Sequence, residues 1–144
     1  MSTSTYLRSR VDVSPLAGVL VAGDVLALTT FVVAGTVHHG GQPFSNPSRV
    51  AGALAPFLLG WLIVAILAGL YTRDAVLSAR RALSWTVPAW VLSVLVGHTL
   101  RLTSLFPGNT TVGFLVVTLL LGGTLVVGWR LLVTFVFGRE KRAG

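Results

Sequence analysis

The chain has no cysteine, which excludes disulfides, thiolate-ligated zinc, iron–sulfur clusters and thiol catalysis. It is also poor in charge, since Asp, Glu, Lys and Arg make up only 10% of its 144 residues. A soluble domain carries about a quarter charged residues, much of it on its surface. A water-facing shell of that kind cannot be assembled here. Acids are the scarcest class, with four against eleven Lys and Arg. What the chain has instead is apolar mass: 53% hydrophobic residues and a mean hydropathy of +0.83. Lipid then serves as the outer solvent. The length fits one domain, and the expected class is an all-α, polytopic membrane protein.

The isoelectric point near 11.6 invites a nucleic-acid reading, but the placement of the charges opposes it. Eight of the eleven basic residues fall in three short segments: Arg8 and Arg10; Arg73, Arg80 and Arg81; Arg139, Lys141 and Arg142. Lys and Arg clustered in loops on one side of a membrane set topology. No aromatic residues alternate with them to stack on bases. The expected partners are the lipid bilayer and either further copies of the chain or a larger membrane complex, with no nucleic acid and no cofactor.

Four apolar runs are long enough to cross the hydrocarbon core at roughly 20 residues each. They cover about 15–37, 50–71, 82–102 and 111–137. Residues 1–13 and 138–144 form short basic tails expected to face the cytoplasm. The connections are HHGGQPFSNPSR (38–49), TRDAVLSARR (72–81) and TSLFPGNT (103–110). Gly-Gly, Pro and Asn mark the first and third as loops. Both termini and the second connection carry the basic clusters, which predicts an in–out–in–out–in path through an inner (plasma) membrane. The first apolar stretch is too long for a signal-peptide core and shows no clear small-x-small cleavage site, so it is expected to stay as a span.

Two charges fall inside spans: Asp24, near the middle of the first, and Arg130, toward the cytoplasmic end of the fourth. A charge at that depth costs several kcal/mol unless paired, hydrated or neutralised. By residue count Arg130 lies roughly 9 Å below its span's midpoint, within a guanidinium's reach of Asp24 if the two helices are neighbours. Three readings follow. The pair fixes helix register; or Asp24 is a proton or cation site tuned by Arg130; or Arg130 snorkels to headgroups and Asp24 stands neutral or faces another subunit.

Other residues qualify these readings. Gly52, Pro56 and Gly60 recur at i+4 in the second span, and Gly123 shares a face with Arg130; small residues at such spacing bring membrane helices together. Leu28, Phe31, Gly35 and His38 follow Asp24 along one helical face. His38, His39 and His98 lie toward the outer leaflet, with Arg101 one turn beyond His98. Adjacent histidines point apart, so no metal site is expected, although titratable groups at two depths keep a pH-linked role open. Trp61 and Trp90 fall near mid-membrane, where packing is the default role. No acid–base–nucleophile set can be placed, so no catalytic residue is assigned.

The ordered segments GDVLALTTFVVAGTVHH (23–39), APFLLGW (55–61), GHTLR (97–101) and GWR (128–130) resemble an uncharacterised domain-of-unknown-function family of small four-helix prokaryotic membrane proteins. The resemblance covers most of the chain and implies a four-helix membrane fold but no reaction. It draws attention to Asp24, His38, Pro56, Trp61, Arg101 and Arg130. Small multidrug exporters also place an acid midway along the first of four helices, but theirs is Glu and this chain adds a buried Arg. Dual-topology fluoride channels share FPxGT-like and TTF-like segments, which occur here in the wrong order. Two functions are carried forward: a small transporter- or channel-like protein with Asp24 as coupling site, and a non-catalytic accessory subunit held together by Asp24–Arg130.

Overall fold

A computed structural model describes residues 2–143, with side chains described as far as Arg139. The side chains of Glu140, Lys141 and Arg142, part of the expected basic tail, lie outside the described ones. The elements are α1 (Thr3–Arg10), α2 (Pro15–His38), α3 (Pro47–Leu67), a single 3-10 turn (Arg73–Val76), α4 (Ala79–Arg101), α5 (Val112–Val117), a π turn (Thr118–Gly122) and α6 (Gly123–Ala143). Backbone angles are right-handed helical on both sides of the π turn, at Val117 and Gly123, and α5, the turn and α6 run as one long rod. With that rod, four helices are long and apolar enough to span a membrane. The protein is an all-α, multi-pass membrane protein.

Each span begins at a polar side chain that caps it. The oxygens of Ser14, Asn46, Ser78 and Thr111 accept the backbone N–H three residues on, at 3.3, 3.3, 3.2 and 3.1 Å. Backbone donors entering lipid must be satisfied within the protein, and Ser, Thr and Asn do this well at a helix start. Pro15 and Pro47 occupy the first helical positions, where no N–H is needed. These caps move two starts away from the sequence expectation: α3 begins at 47 rather than 50 and α4 at 79 rather than 82. Hydropathy marks where apolar residues begin, whereas the cap sets where the helix begins.

Both terminal segments carry helix. The short basic tail 1–13 contains a helix the sequence reading did not assign, the exposed α1 capped by Ser2. The last helix does not stop near 137 but runs on to Ala143. The second span ends four residues early, at Leu67. There Gly69 adopts a left-handed φ of +71°, Leu70 N–H donates to the Ala65 carbonyl and Gly69 N–H to that of Ile66. This is a Schellman stop, a conformation in which glycine carries no Cβ penalty.

The long helices form a ring in which α2 packs on α3 and α6, and α4 packs on α3 and α6. Glycines set the closest approaches, as expected where lipid offers no hydrophobic drive between helices. A Cβ at Gly60 would lie 2.9 Å from the Ser93 carbonyl oxygen, so α3 and α4 meet backbone to backbone. Gly23 makes room for the Trp129 ring, and Gly122 and Gly123 for that of Trp90. Trp90 also donates its indole N–H to the Leu119 carbonyl inside the π turn, at 3.1 Å. Gly123 therefore receives an indole, not the neighbouring backbone expected from sequence. Gly52 leaves the expected packing stripe altogether: it is exposed, with no atom within 4 Å of where a Cβ would stand. Pro56 and Gly60 of that stripe are buried. Leu26, Ile63, Leu92, Leu121 and Phe135 are among the large apolar side chains left exposed on the outside of the bundle.

Candidate functional site

The two charges within the spans meet. Asp24 on α2 and Arg130 on α6 are 0% and 1% exposed and form an ion pair. Arg130 Nε donates to Asp24 Oδ1 at 3.1 Å, and Nη2 donates to Oδ2. This two-point geometry matches a planar guanidinium to a planar carboxylate.

Two further donors complete the carboxylate's shell. Trp61 Nε1 on α3 donates to Oδ2 at 3.0 Å, and the Tyr71 hydroxyl donates to the same oxygen at 2.8 Å. The carboxylate thus accepts from four donors, three on Oδ2 and one on Oδ1, so neither oxygen is left without a partner. Arg130 keeps one more bond, from Nη1 to the Leu70 carbonyl at 2.7 Å. Its guanidinium carbon also lies 5.5 Å from the Trp61 ring centre and 5.1 Å from that of Tyr71. Rings at that range attract a cation by their quadrupole.

The Gly69 stop positions this end of the site. By ending α3 and reversing the chain it turns the Leu70 carbonyl and the Tyr71 side chain inward. The N-terminal strap then holds the turn from outside: Asp12 N–H donates to the Tyr71 carbonyl at 3.0 Å, and Arg73 N–H donates to Asp12 Oδ2 at 2.8 Å. Residues from α2, α3, the 67–73 turn and α6 therefore converge on one carboxylate.

Trp61 and Tyr71 were not legible as Asp24's partners. Trp61 reads as a packing residue, and Tyr71 as the last residue of its span. A signal for Trp61 existed, because a buried indole N–H needs an acceptor and Asp24 is the lone acid within the spans.

The remaining candidates lie apart from this site. Leu28 and Phe31 on Asp24's face are buried, but His38 is exposed at the end of α2, edge-on to His39 with ring centres 5.3 Å apart. His98 is buried on α4 between Phe57 and Phe114. Its Nδ1 is 2.9 Å from the Val94 carbonyl and so carries a proton, while Nε2 has no partner. Arg101 lies over the same two phenyl rings, at 6.0 and 5.4 Å. Among the described residues no three His, Asp or Glu side chains cluster as a metal site would require.

A family profile matches residues 21–133, from just before Asp24 to just after Arg130. The chain belongs to the family described as protein of unknown function (DUF3054). The match spans all four residues of the buried site. No curated protein and no solved structure matches the chain.

Proposed function

We propose that the protein is a non-catalytic subunit of the plasma (inner) membrane, both termini cytoplasmic, whose bundle is locked in a single register by Asp24–Arg130. The observation that carries this reading is the enclosure of Asp24: its two oxygens take four protein donors, and it has no exposed surface. A coupling carboxylate must exchange with water or an ion, and here both oxygens are bonded to protein donors, three on Oδ2 and one on Oδ1, with no surface open to solvent. Two cavities, of about 420 and 470 Å³, open elsewhere in the molecule and neither is lined by Asp24.

Removing one partner from a buried ion pair leaves an uncompensated charge, while the intact pair holds both helices at one height. The exposed apolar belt is suited to lipid, to further copies of the chain or to a larger complex. The orientation rests on the three basic segments.

Flux in liposomes tests the reading. Purified protein reconstituted with an internal pH dye should dissipate an imposed pH gradient no faster than protein-free vesicles. Asp24→Asn should not change that rate. A protein-dependent flux abolished by Asp24→Asn, with the variant's thermal midpoint unchanged, would overturn the subunit reading in favour of a proton- or cation-coupled carrier. Blue-native gels of mildly solubilised membranes should show the chain above its monomer mass.

A further inference from the structure

The bundle end away from the termini holds a cavity of about 470 Å³ among α2, α3, α4 and α5. Its wall includes the side chains of Arg49, Arg101 and His39 together with Phe31, Phe57 and Phe114. The lining comes from residues 31–57 and 101–117. The sequence has no acid between Asp24 and Asp74, and none between Asp74 and Glu140, so both stretches are free of carboxylates. The ion pairs among the described residues, Arg81–Asp74 and Arg130–Asp24, involve neither Arg49 nor Arg101.

Arg101 is placed by packing instead of by a counter-charge. Its guanidinium lies over Phe57 and Phe114, in space that Gly108 leaves open: a Cβ there would come within 2.4 Å of Nη2. Its Nε is buried and has no hydrogen-bond partner. Buried donors are nearly always satisfied, and a guanidinium that lies over aromatic rings with no carboxylate partner keeps its N–H donors for a planar or tetrahedral oxyanion.

We propose that this cavity binds an organic anion, its phosphate- or carboxylate-type head on Arg101 and Arg49 and its apolar body against the phenylalanines. Two cationic side chains with no acid nearby set the sign of the ligand. The phenyl walls set its amphiphilic character, as in pockets where a few polar groups orient a mainly apolar ligand. The anion is either the head of an acidic lipid or a soluble organic anion. This site is separate from Asp24 and independent of whether the chain is a subunit or a carrier.

Calorimetric titration of the full chain in neutral detergent tests the assignment, with phenyl phosphate as probe and phenol as its uncharged control. Phenyl phosphate should bind saturably and at least ten-fold more tightly than phenol. Arg101→Gln should weaken it ten-fold or more and Arg49→Gln several-fold, while Arg80→Gln at the other end leaves it unchanged. Phosphatidylglycerol, with phosphatidylcholine as control, identifies the source. Displacement of the probe assigns the site to a lipid head, and no displacement assigns it to a soluble anion; either result upholds an anion site. Absence of saturable binding, equal binding of phenol, or binding indifferent to both arginine variants overturns the proposal. If Arg101→Gln does not fold, Arg49→Gln and Arg101→Lys decide: the first should weaken binding, and the second should weaken it less than loss of the charge does.

Discussion

The backbone carbonyl of Leu70 accepts a 2.7 Å hydrogen bond from Arg130, and the left-handed turn at Gly69 presents it. A glycine two residues past the end of a helix thus helps to hold a guanidinium in the core. Gly69→Ala should destabilise the protein by roughly 1–2 kcal/mol, the cost of forcing a Cβ into left-handed backbone. Thermal unfolding in detergent, followed by tryptophan fluorescence, measures it. A midpoint equal to the parent's would mean that the turn relaxes without disturbing Leu70.

Asp24 and Arg130 should be strongly coupled. Asp24→Asn and Arg130→Ala are each expected to cost about 3–5 kcal/mol, the range for breaking a buried pair from one side. The double variant should cost clearly less than the sum, because neither charge is then stranded. A double-mutant cycle in detergent gives the coupling, and simple additivity would show that the two charges act independently.

Trp61 and Tyr71 contribute as donors as well as bulk. Tyr71→Phe removes one oxygen and leaves the ring in place, so its cost should be about 1.5–3 kcal/mol, as for a hydrogen bond to a charged group. In the Asp24→Asn background the same change should cost less. An equal cost in both backgrounds would assign the effect to packing around Tyr71 and not to the carboxylate.

Glycines that look alike in sequence should respond differently. A Cβ at Gly23 would overlap the Trp129 ring, at 1.8 Å from its nearest atom, so Gly23→Ala should destabilise by about 1–3 kcal/mol, as overpacking does. Gly52 faces open space, and Gly52→Ala should be neutral or stabilising by up to about 1 kcal/mol through helix propensity. Loss of a higher-mass species on native gels for Gly52→Ala would place that glycine in a contact between chains.

The sequence carried the spans and the central pair because both depend on quantities that read linearly. Apolar runs report lipid-facing length, and Asp24 and Arg130 stand out because nothing else in those runs is charged. Trp61 and Tyr71 were illegible because indole and phenol are both apolar bodies and hydrogen-bond donors, and only the fold chooses between these roles. Gly23, Gly122 and Gly123 stand opposite tryptophans more than a hundred residues away in one case (Trp129) and about thirty in the other (Trp90). Helical spacing within one segment cannot show this. The caps at Asn46 and Ser78 were readable, and they explain the two shifted starts.

The Asp24–Arg130 bonds join residues 106 positions apart, and this separation has a consequence for biosynthesis. Translation makes the acid in the first span and its counter-charge only in the last. Trp61 and then Tyr71 are made in between, so the neutral donors exist before the cation does. A nascent chain halted after the third span has no positive partner for that carboxylate, which costs several kcal/mol at such depth. The arrival of the fourth span is therefore the step that seals the bundle.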